Sequence, residues 1–347
     1  MFSLHRTRYP AISVCLVAGF AACTVPNPNR RPDACVAEPD EQFCARIGAT
    51  CQAAAGADNC GTARTALCGA CSGTDACVAN VCKAPVCSAF SFPRLMLPTA
   101  LNDAAKQDTL SGASSDGKTV LWQRGICGTP LQLLIGDSDG GGFVIADLSA
   151  QLALAPMAAD QDGTLTLTAD GLTIIGMSDD GTYVLEASRP GLGTTGFAPA
   201  SNANFTALNV PRPTRIGFPV ISSDGLAFYF RKSNSANPND NGIYEAVRAS
   251  ATAPFPAATK MPGLIQGYDS ITGISSDRLT VFVQDTGTQT YALTRRSQTD
   301  PFVNPNTAGL PPKIPGFRTR PLNDCQTVIA TYSAGDCDKE DIAFYTK

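Results

Sequence analysis

Five copies of one pattern, set near fifty residues apart, constrain this chain more than any other feature. They read SGASSDGKTVLW (Ser111–Trp122), LTLTADGLTIIG (Leu165–Gly176), PVISSDGLAFYF (Pro219–Phe230), TGISSDRLTVFV (Thr272–Val283) and RPLNDCQTVIAT (Arg320–Thr331). Their shared aspartates, Asp116, Asp170, Asp224, Asp277 and Asp324, are 54, 54, 53 and 47 residues apart. A period of this size, made of strands rather than helices, is the mark of propeller blades. In three copies the turn is Asp-Gly, a tight hairpin signal. A β-rich run follows, such as Leu226–Phe230 or Leu279–Val283. After a polar loop comes another strand: Tyr183–Ala187, Ile243–Val247, Tyr291–Thr294 and Ile342–Tyr345. Two of these run into Arg-x-Ser-x-x-x-Pro-Phe, at Arg248–Phe255 and Arg295–Phe302, which is expected to open an outermost strand. The expected fold is all-β: a propeller of about five four-stranded blades over 88–347.

These repeats resemble the WD-like β-propeller repeats of the TolB type, whose S-x-D-G turn precedes a strand and a later I-Y-x-x strand. The resemblance spans about 260 residues. It implies architecture rather than activity, because that family includes binding scaffolds, envelope-complex subunits and enzyme-associated domains. The sialidase Asp-box does not match, since its glycine falls two places after the aspartate. Each repeat aspartate is expected to cap its own turn by accepting nearby backbone amides. The fourth and fifth copies, SSDR and LNDC, lack the glycine.

Residues 1–22 read as an export signal. His5, Arg6 and Arg8 precede an apolar run from Ala11 to Ala22 that is too short to cross a bilayer as a helix. Phe20-Ala21-Ala22-Cys23 resembles a bacterial lipobox, with Phe where Leu is usual. That resemblance implies a lipid on Cys23 and a membrane partnership through it. Thr24 in the next position implies the outer membrane. Ordinary signal cleavage would instead leave Cys23 a bystander. Residues 23–34 form a polar, Pro-rich tether.

Of fourteen cysteines, setting aside Cys15 and Cys23 leaves twelve, an even number that suits disulfides in an oxidising compartment. Eight of them, Cys35, Cys44, Cys51, Cys60, Cys68, Cys71, Cys77 and Cys82, fall in a module at 35–87. Between Cys35 and Cys82 its only aromatic residue is Phe43, so cross-links must supply the stability. The run FCARIGATCQAAAGADNCGTARTALCGACSGTDACVANVC resembles cysteine-rich modules that Gram-negative bacteria append to secreted hydrolases and surface proteins. This implies a spacer or accessory role. Cys68-Gly-Ala-Cys71 lacks the second CxxC or histidines of a zinc site and the βαβ context of a thioredoxin. Structural bridging is the expectation there. Outside the module, blade levels pair Cys87 with Cys325 at the Asp-turn end and Cys127 with Cys337 at the other, both fastening blade five to blade one. A sequential Cys325–Cys337 bridge would have to cross a strand of about seven residues, roughly 23 Å. The N-terminal segment would supply the missing outer strand of blade five.

The available chemistry is narrow. A net charge of −4 argues against nucleic acid as a partner. The one histidine, His5, lies in the signal, so the mature chain has no Ser-His-Asp or Cys-His centre and no His-ligated zinc. Carboxylate chemistry remains, as in glycosidases. Oxygen-ligated Ca²⁺ also remains, with Asp137, Asp139 and Asp147 as the ligand candidates in a Gly-rich loop. That loop lacks the regular spacing of an EF-hand. Trp122 is expected in the core. No catalytic residue and no cofactor is assigned. The leading expectation is a non-catalytic envelope lipoprotein, outer-membrane anchored, whose propeller binds a protein or glycan. A carboxylate-dependent glycan hydrolase or lyase and a subunit of a periplasmic envelope complex are the rivals. A funnel lined by Asp, Glu and Tyr would favour the hydrolase; Ser, Thr and apolar side chains would favour binding.

Overall fold

The second strand of each repeat is apolar on both faces, and the architecture follows from where those faces go. The computed structural model describes residues 35–72, 75–87, 90–126, 131–151, 154, 157, 165–261, 268–285, 289–304, 312–322, 325–333 and 340–347. The cysteine-rich region holds α1 (Asp40–Arg46), the hairpin β1 (Ala53–Ala57) with β2 (Ala63–Leu67), and the hairpin β3 (Ala76–Val78) with β4 (Val81–Lys83). After β5 (Arg94–Met96), blade one consists of β6 (Gln107–Ala113), β7 (Thr119–Gly125), β8 (Gln132–Ser138) and β9 (Phe143–Asp147). Blade two has β10 (Leu165–Leu167), β11 (Thr173–Met177) and β12 (Val184–Ser188). Blade three has β13 (Thr214–Ile221), β14 (Ala227–Asn234), β15 (Gly242–Val247) and β16 (Thr259–Lys260). Blade four has β17 (Tyr268–Ile274), β18 (Thr280–Asp285), β19 (Thr290–Thr294) and β20 (Lys313–Ile314). Blade five has β21 (Phe317–Pro321), β22 (Thr327–Ser333) and β23 (Glu340–Thr346), completed by β5.

Successive side chains on a strand point to opposite faces, and here each face meets a different neighbouring blade. Leu121 of β7 packs with Ile174 of β11, and Ile175 beside it packs with Phe228 of β14. Tyr229 then joins Val281 of β18, Phe282 joins Val328 of β22, and Ile329 joins Trp122 back in β7. All ten side chains are buried. Five apolar clusters thus fill the gaps between five blades, and the last one closes the ring. Each large side chain so buried is worth about 1.5–3 kcal/mol.

Closure also uses the chain's earlier segment. β5 pairs antiparallel with β23, Arg94 opposite Thr346 and Met96 opposite Phe344, so the outer strand of blade five comes from before blade one. Cys87 is bridged to Cys325 across 238 residues of sequence. Cys127 and Cys337 lie outside the described residues. Blade two departs from the four-stranded expectation. Its outer strand is reduced to one bridge, in which Glu186 and Ser201 exchange backbone hydrogen bonds of 2.8 and 2.9 Å.

The cysteine-rich region has one small apolar cluster, Phe43, Cys44 and Ala66, and its other buried apolar residues are alanines and cysteines. Four bridges hold it: Cys35–Cys60, Cys44–Cys68, Cys51–Cys77 and Cys71–Cys82. The two cysteines of the CxxC are therefore partnered separately. Cys77 also donates its backbone N–H to the Arg296 carbonyl at 3.0 Å, which docks the region on blade four. Its own strands end at Lys83, and Cys87 already packs within the propeller's apolar cluster.

Candidate functional site

The repeat turns come first, because they build one face of the ring. In blade three the Ser222 hydroxyl donates to Asp224 Oδ1 at 2.5 Å, the Leu226 N–H donates to the same oxygen at 3.0 Å, and the Ala227 N–H donates to Ser222 Oγ at 2.9 Å. Ser114–Asp116, Thr168–Asp170 and Ser275–Asp277 repeat this network. The aspartates are thereby engaged in their own turns. Asp324 lies outside the described residues. The turns that lack glycine keep the same backbone: Arg278 and Cys325 adopt φ of 60° and 51°, the left-handed region that Gly117, Gly171 and Gly225 occupy elsewhere. Each exception carries a connection. Arg278 Nε lies 3.5 Å from Asp224 of the preceding blade, and Cys325 carries the closing disulfide.

The Ca²⁺ candidates do not converge. Asp137 accepts both terminal nitrogens of Arg189 at 2.6 and 2.7 Å, the Thr119 hydroxyl and the Gly193 N–H. Burial raises this carboxyl, but those donors outweigh it and hold the group below its ordinary value. Asp139 accepts the Gly141 N–H, and Asp147 accepts the Ser149 N–H. Asp147 faces Leu134, three ladder positions along β8 from Asp137, or about 10 Å. The one group of cysteine and acidic side chains close enough to share an ion, among the described residues, is Cys51, Cys71 and Cys82, and all three are bridged. Cys23 lies outside the described residues.

An arginine follows the third strand in blades two, three and four; in the sequence only Arg248 and Arg295 stand out, as the start of the run towards an outer strand. Arg189, Arg248 and Arg295 each donate Nε to a carbonyl of their own blade's turn, Gly171, Gly225 or Arg278. Each also stacks on a following phenylalanine, Phe197, Phe255 or Phe302. Arg189 and Arg295 then reach an acid of the preceding blade, Asp137 or Glu245. The shared E-A-x-R spacing of Glu186–Arg189 and Glu245–Arg248 was the available signal.

Between blades two and three this link is open. Glu186, the counterpart of Glu245, accepts Asn204 Nδ2 at 2.5 Å, while Arg248 forks to the Gly225 and Ala253 carbonyls. A cleft of about 350 Å³ on the Asp-turn face separates them, lined also by Asp170, Thr168, Ser222 and Asp224. Burial lowers the Arg248 guanidinium, opposed by the charges of Glu186 and Asp224. A larger hollow of about 540 Å³ sits among Arg212, Arg215 and Asn234. Arg212 there is 72% exposed and already paired with Asp180, so the hollow presents solvated groups.

At the axis on the Asp-turn face, all five inner strands border a cavity of about 50 Å³. Its walls are mostly Ala, Ser, Thr and aliphatic side chains, with Arg320 as the one charged residue. Trp122 is fully buried, its indole N–H donating to the sequestered Asp108 at 3.0 Å. Burial raises the Asp108 carboxyl against the pull of Arg124, whose Nε lies 2.6 Å away.

No family of known sequences matches the chain, and no curated protein matches it. Among solved structures it is similar to TolB from Acinetobacter baumannii, at 10% identity and a TM-score of 0.35, over 85% of this chain and 59% of that one. The chain therefore spans less than two thirds of that protein's length. It is also similar to a putative TolB from Agrobacterium tumefaciens, at 13% identity and a TM-score of 0.42, over 70% of this chain and 78% of that one. A third is AofleA from Arthrobotrys oligospora, at 12% identity and a TM-score of 0.37, over 73% of this chain and 68% of that one. These are distant likenesses of fold. The five-bladed propeller itself rests on the sheet topology, the five inter-blade clusters and the β5–β23 closure of this chain.

Proposed function

We propose that the chain is a non-catalytic binding protein of the cell envelope whose propeller takes a hydroxyl-rich ligand, a glycan or polar protein segment, between blades two and three. The observation that carries this reading is the open cleft. It sets the Glu186 carboxylate and the Asn204 amide opposite the Arg248 guanidinium, at the one interface of three where the arginine makes no ion pair with its neighbour's acid. Hydroxyl groups both donate and accept, so such a wall can satisfy them in either direction. The five disulfides among the described residues suit an oxidising compartment outside the cytoplasm. In this reading Cys23 carries the lipid, 23–34 is the tether, 35–87 the spacer and 88–347 the display domain at the outer membrane.

A glycan and envelope-protein screen on the full chain, followed by calorimetry, tests it. Glu186→Gln and Asn204→Ala should each weaken the hit about tenfold, in keeping with one lost charge-assisted or amide hydrogen bond. Hits with affinities unchanged in both variants would remove the cleft from the reading. Cleavage of the bound glycan would install a hydrolase instead. Asp170 and Asp224 argue against that outcome, because each is already committed to its turn. Mass spectrometry of the mature N-terminus should find an acylated Cys23; an unacylated terminus there would end the anchoring model.

A further inference from the structure

Four residues before the turn aspartate, the inner strands carry Gly112, Thr166, Val220, Gly273 and Arg320 in blade order. Four of these five ring-equivalent positions are small or aliphatic, and the fifth is a guanidinium. The ring is tight at this level. A Cβ on Gly112 would come within 2.7 Å of the Leu167 backbone nitrogen, and one on Gly273 within 2.6 Å of Pro321 Cδ. Blade five stands between the two glycine-bearing blades, one and four, and its inner strand runs close against Gly273, whose added Cβ would lie 3.3 Å from the Arg320 Cα. Its Nη2 donates to the Ser111 carbonyl at 2.9 Å across the closure. Its Nε is buried without a hydrogen-bond partner, and among the described residues no carboxylate pairs with the group. The axial cavity opens beside it, bounded by Ala113, Thr166, Ile221, Ile274 and Pro321, one residue from each blade.

A buried charge that lacks a counter-ion is costly, and a planar guanidinium with a free N–H edge matches a carboxylate fork. We propose that the axial cavity is an anion site in which Arg320 holds the carboxylate of a small ligand; it adjoins the cleft between blades two and three, sharing Ala169, Ile221 and Ser223 with it. The cavity's volume, about 50 Å³, admits a few heavy atoms and no sugar ring. Burial, with the Arg318 charge nearby, lowers the Arg320 guanidinium to about 9, so it remains charged at neutral pH. Besides the charge of Arg320, the lining offers the hydroxyls of Ser115, Thr166 and Ser223 to fix the ligand. A carboxylate of this size comes from a free short-chain acid or from the C-terminus of a peptide, and both have the same chemistry.

Thermal melts and calorimetry of the full chain with sodium acetate, and with a short peptide in free-acid and amidated forms, decide the matter. Sodium chloride at matched ionic strength serves as the control. A carboxylate-dependent rise in melting temperature beyond the chloride control is the expected result. Response to acetate identifies a free acid as sufficient; response to the free-acid peptide alone identifies a chain terminus. Arg320→Gln should weaken binding about ten- to hundredfold, the loss of a charged hydrogen-bond pair. Ser115→Phe, which leaves Arg320 in place and sets a bulky ring in the cavity's lining, should abolish the response, and it decides the question alone if the first variant fails to fold. No response to any carboxylate in the wild type, or an undiminished response in Ser115→Phe, overturns the site and leaves Arg320 as a clasp between blades five and one. Either result leaves binding in the cleft untouched, since neither residue lines it.

Discussion

Asp137 and Arg189 are the buried ion pair between blades one and two, and the arginine side chain is wholly inaccessible. Removing one partner of such a pair leaves the other charged and buried, which costs about 3–5 kcal/mol. Asp137→Asn should therefore lower the unfolding free energy, read from urea titration, by an amount in that range, with far-UV circular dichroism at neutral pH unchanged. The sign of the pH dependence follows from the depressed carboxyl. Its folded value lies below the unfolded value of about 4, so its stabilisation is full above that pH. It is lost as pH falls from there towards the folded value. Urea midpoints measured across that window should fall more steeply in the wild type than in Asp137→Asn; equal slopes would refute the assignment. Asp108 belongs to the opposite class, a buried carboxyl raised by desolvation and held by Trp122 and Arg124.

At the scale of the element, the inner strands are held apart by less than a methyl group. Gly112 needs no unusual backbone; its constraint is the approach of the Leu167 nitrogen at 2.7 Å from any added Cβ. Gly112→Ala forces β6 and β10 apart and should cost about 1–3 kcal/mol as overpacking. Gly191, which has open space around it, makes the control, and Gly191→Ala should stay within about 0.5 kcal/mol. Paired guanidinium titrations of the two variants check this, and equal midpoints would show that the ring yields at the axis. The cysteine-rich hairpins make the contrasting element. Their apolar cluster is Phe43, Cys44 and Ala66, so their order depends on four bridges rather than on packing.

For the whole molecule the controlling feature is closure. Blade five is assembled from both ends of the propeller's sequence, and a bridge from Cys87 to Cys325 spans 238 residues. Cross-linking a loop of that length constrains the unfolded chain by about 5 kcal/mol in the chain-entropy account. Replacing both cysteines by serine should lower Tm by about 10 °C or more while leaving the β-sheet spectrum in place. Non-reducing peptide mapping should recover the Cys87–Cys325 peptide from the wild type. Its absence, or a Cys325–Cys337 peptide, would require a different closure. The same mapping tests the Cys127–Cys337 pairing, which falls outside the described residues.

Blade number, the turn chemistry of Asp116, Asp170, Asp224 and Asp277, and closure through the earlier segment were all legible in the sequence. Each depends on local pattern or on counting strands between repeats. A hairpin turn is specified within about six residues, and alternating apolar faces within one strand. The sequence also placed Cys87 and Cys325 at one level, because strand parity sets the end of a blade at which a residue falls. What it could not decide was anything created where two blades meet. The Asp137 carboxylate read as a calcium ligand until Arg189, 52 residues on, was seen to fill its coordination. The opening between Glu186 and Arg248 depends on Asn204 capturing the glutamate first. The axial cavity beside Arg320 is bounded by residues of all five inner strands. Those outcomes depend on distances between strands far apart in sequence, and only packing of the closed ring sets such distances.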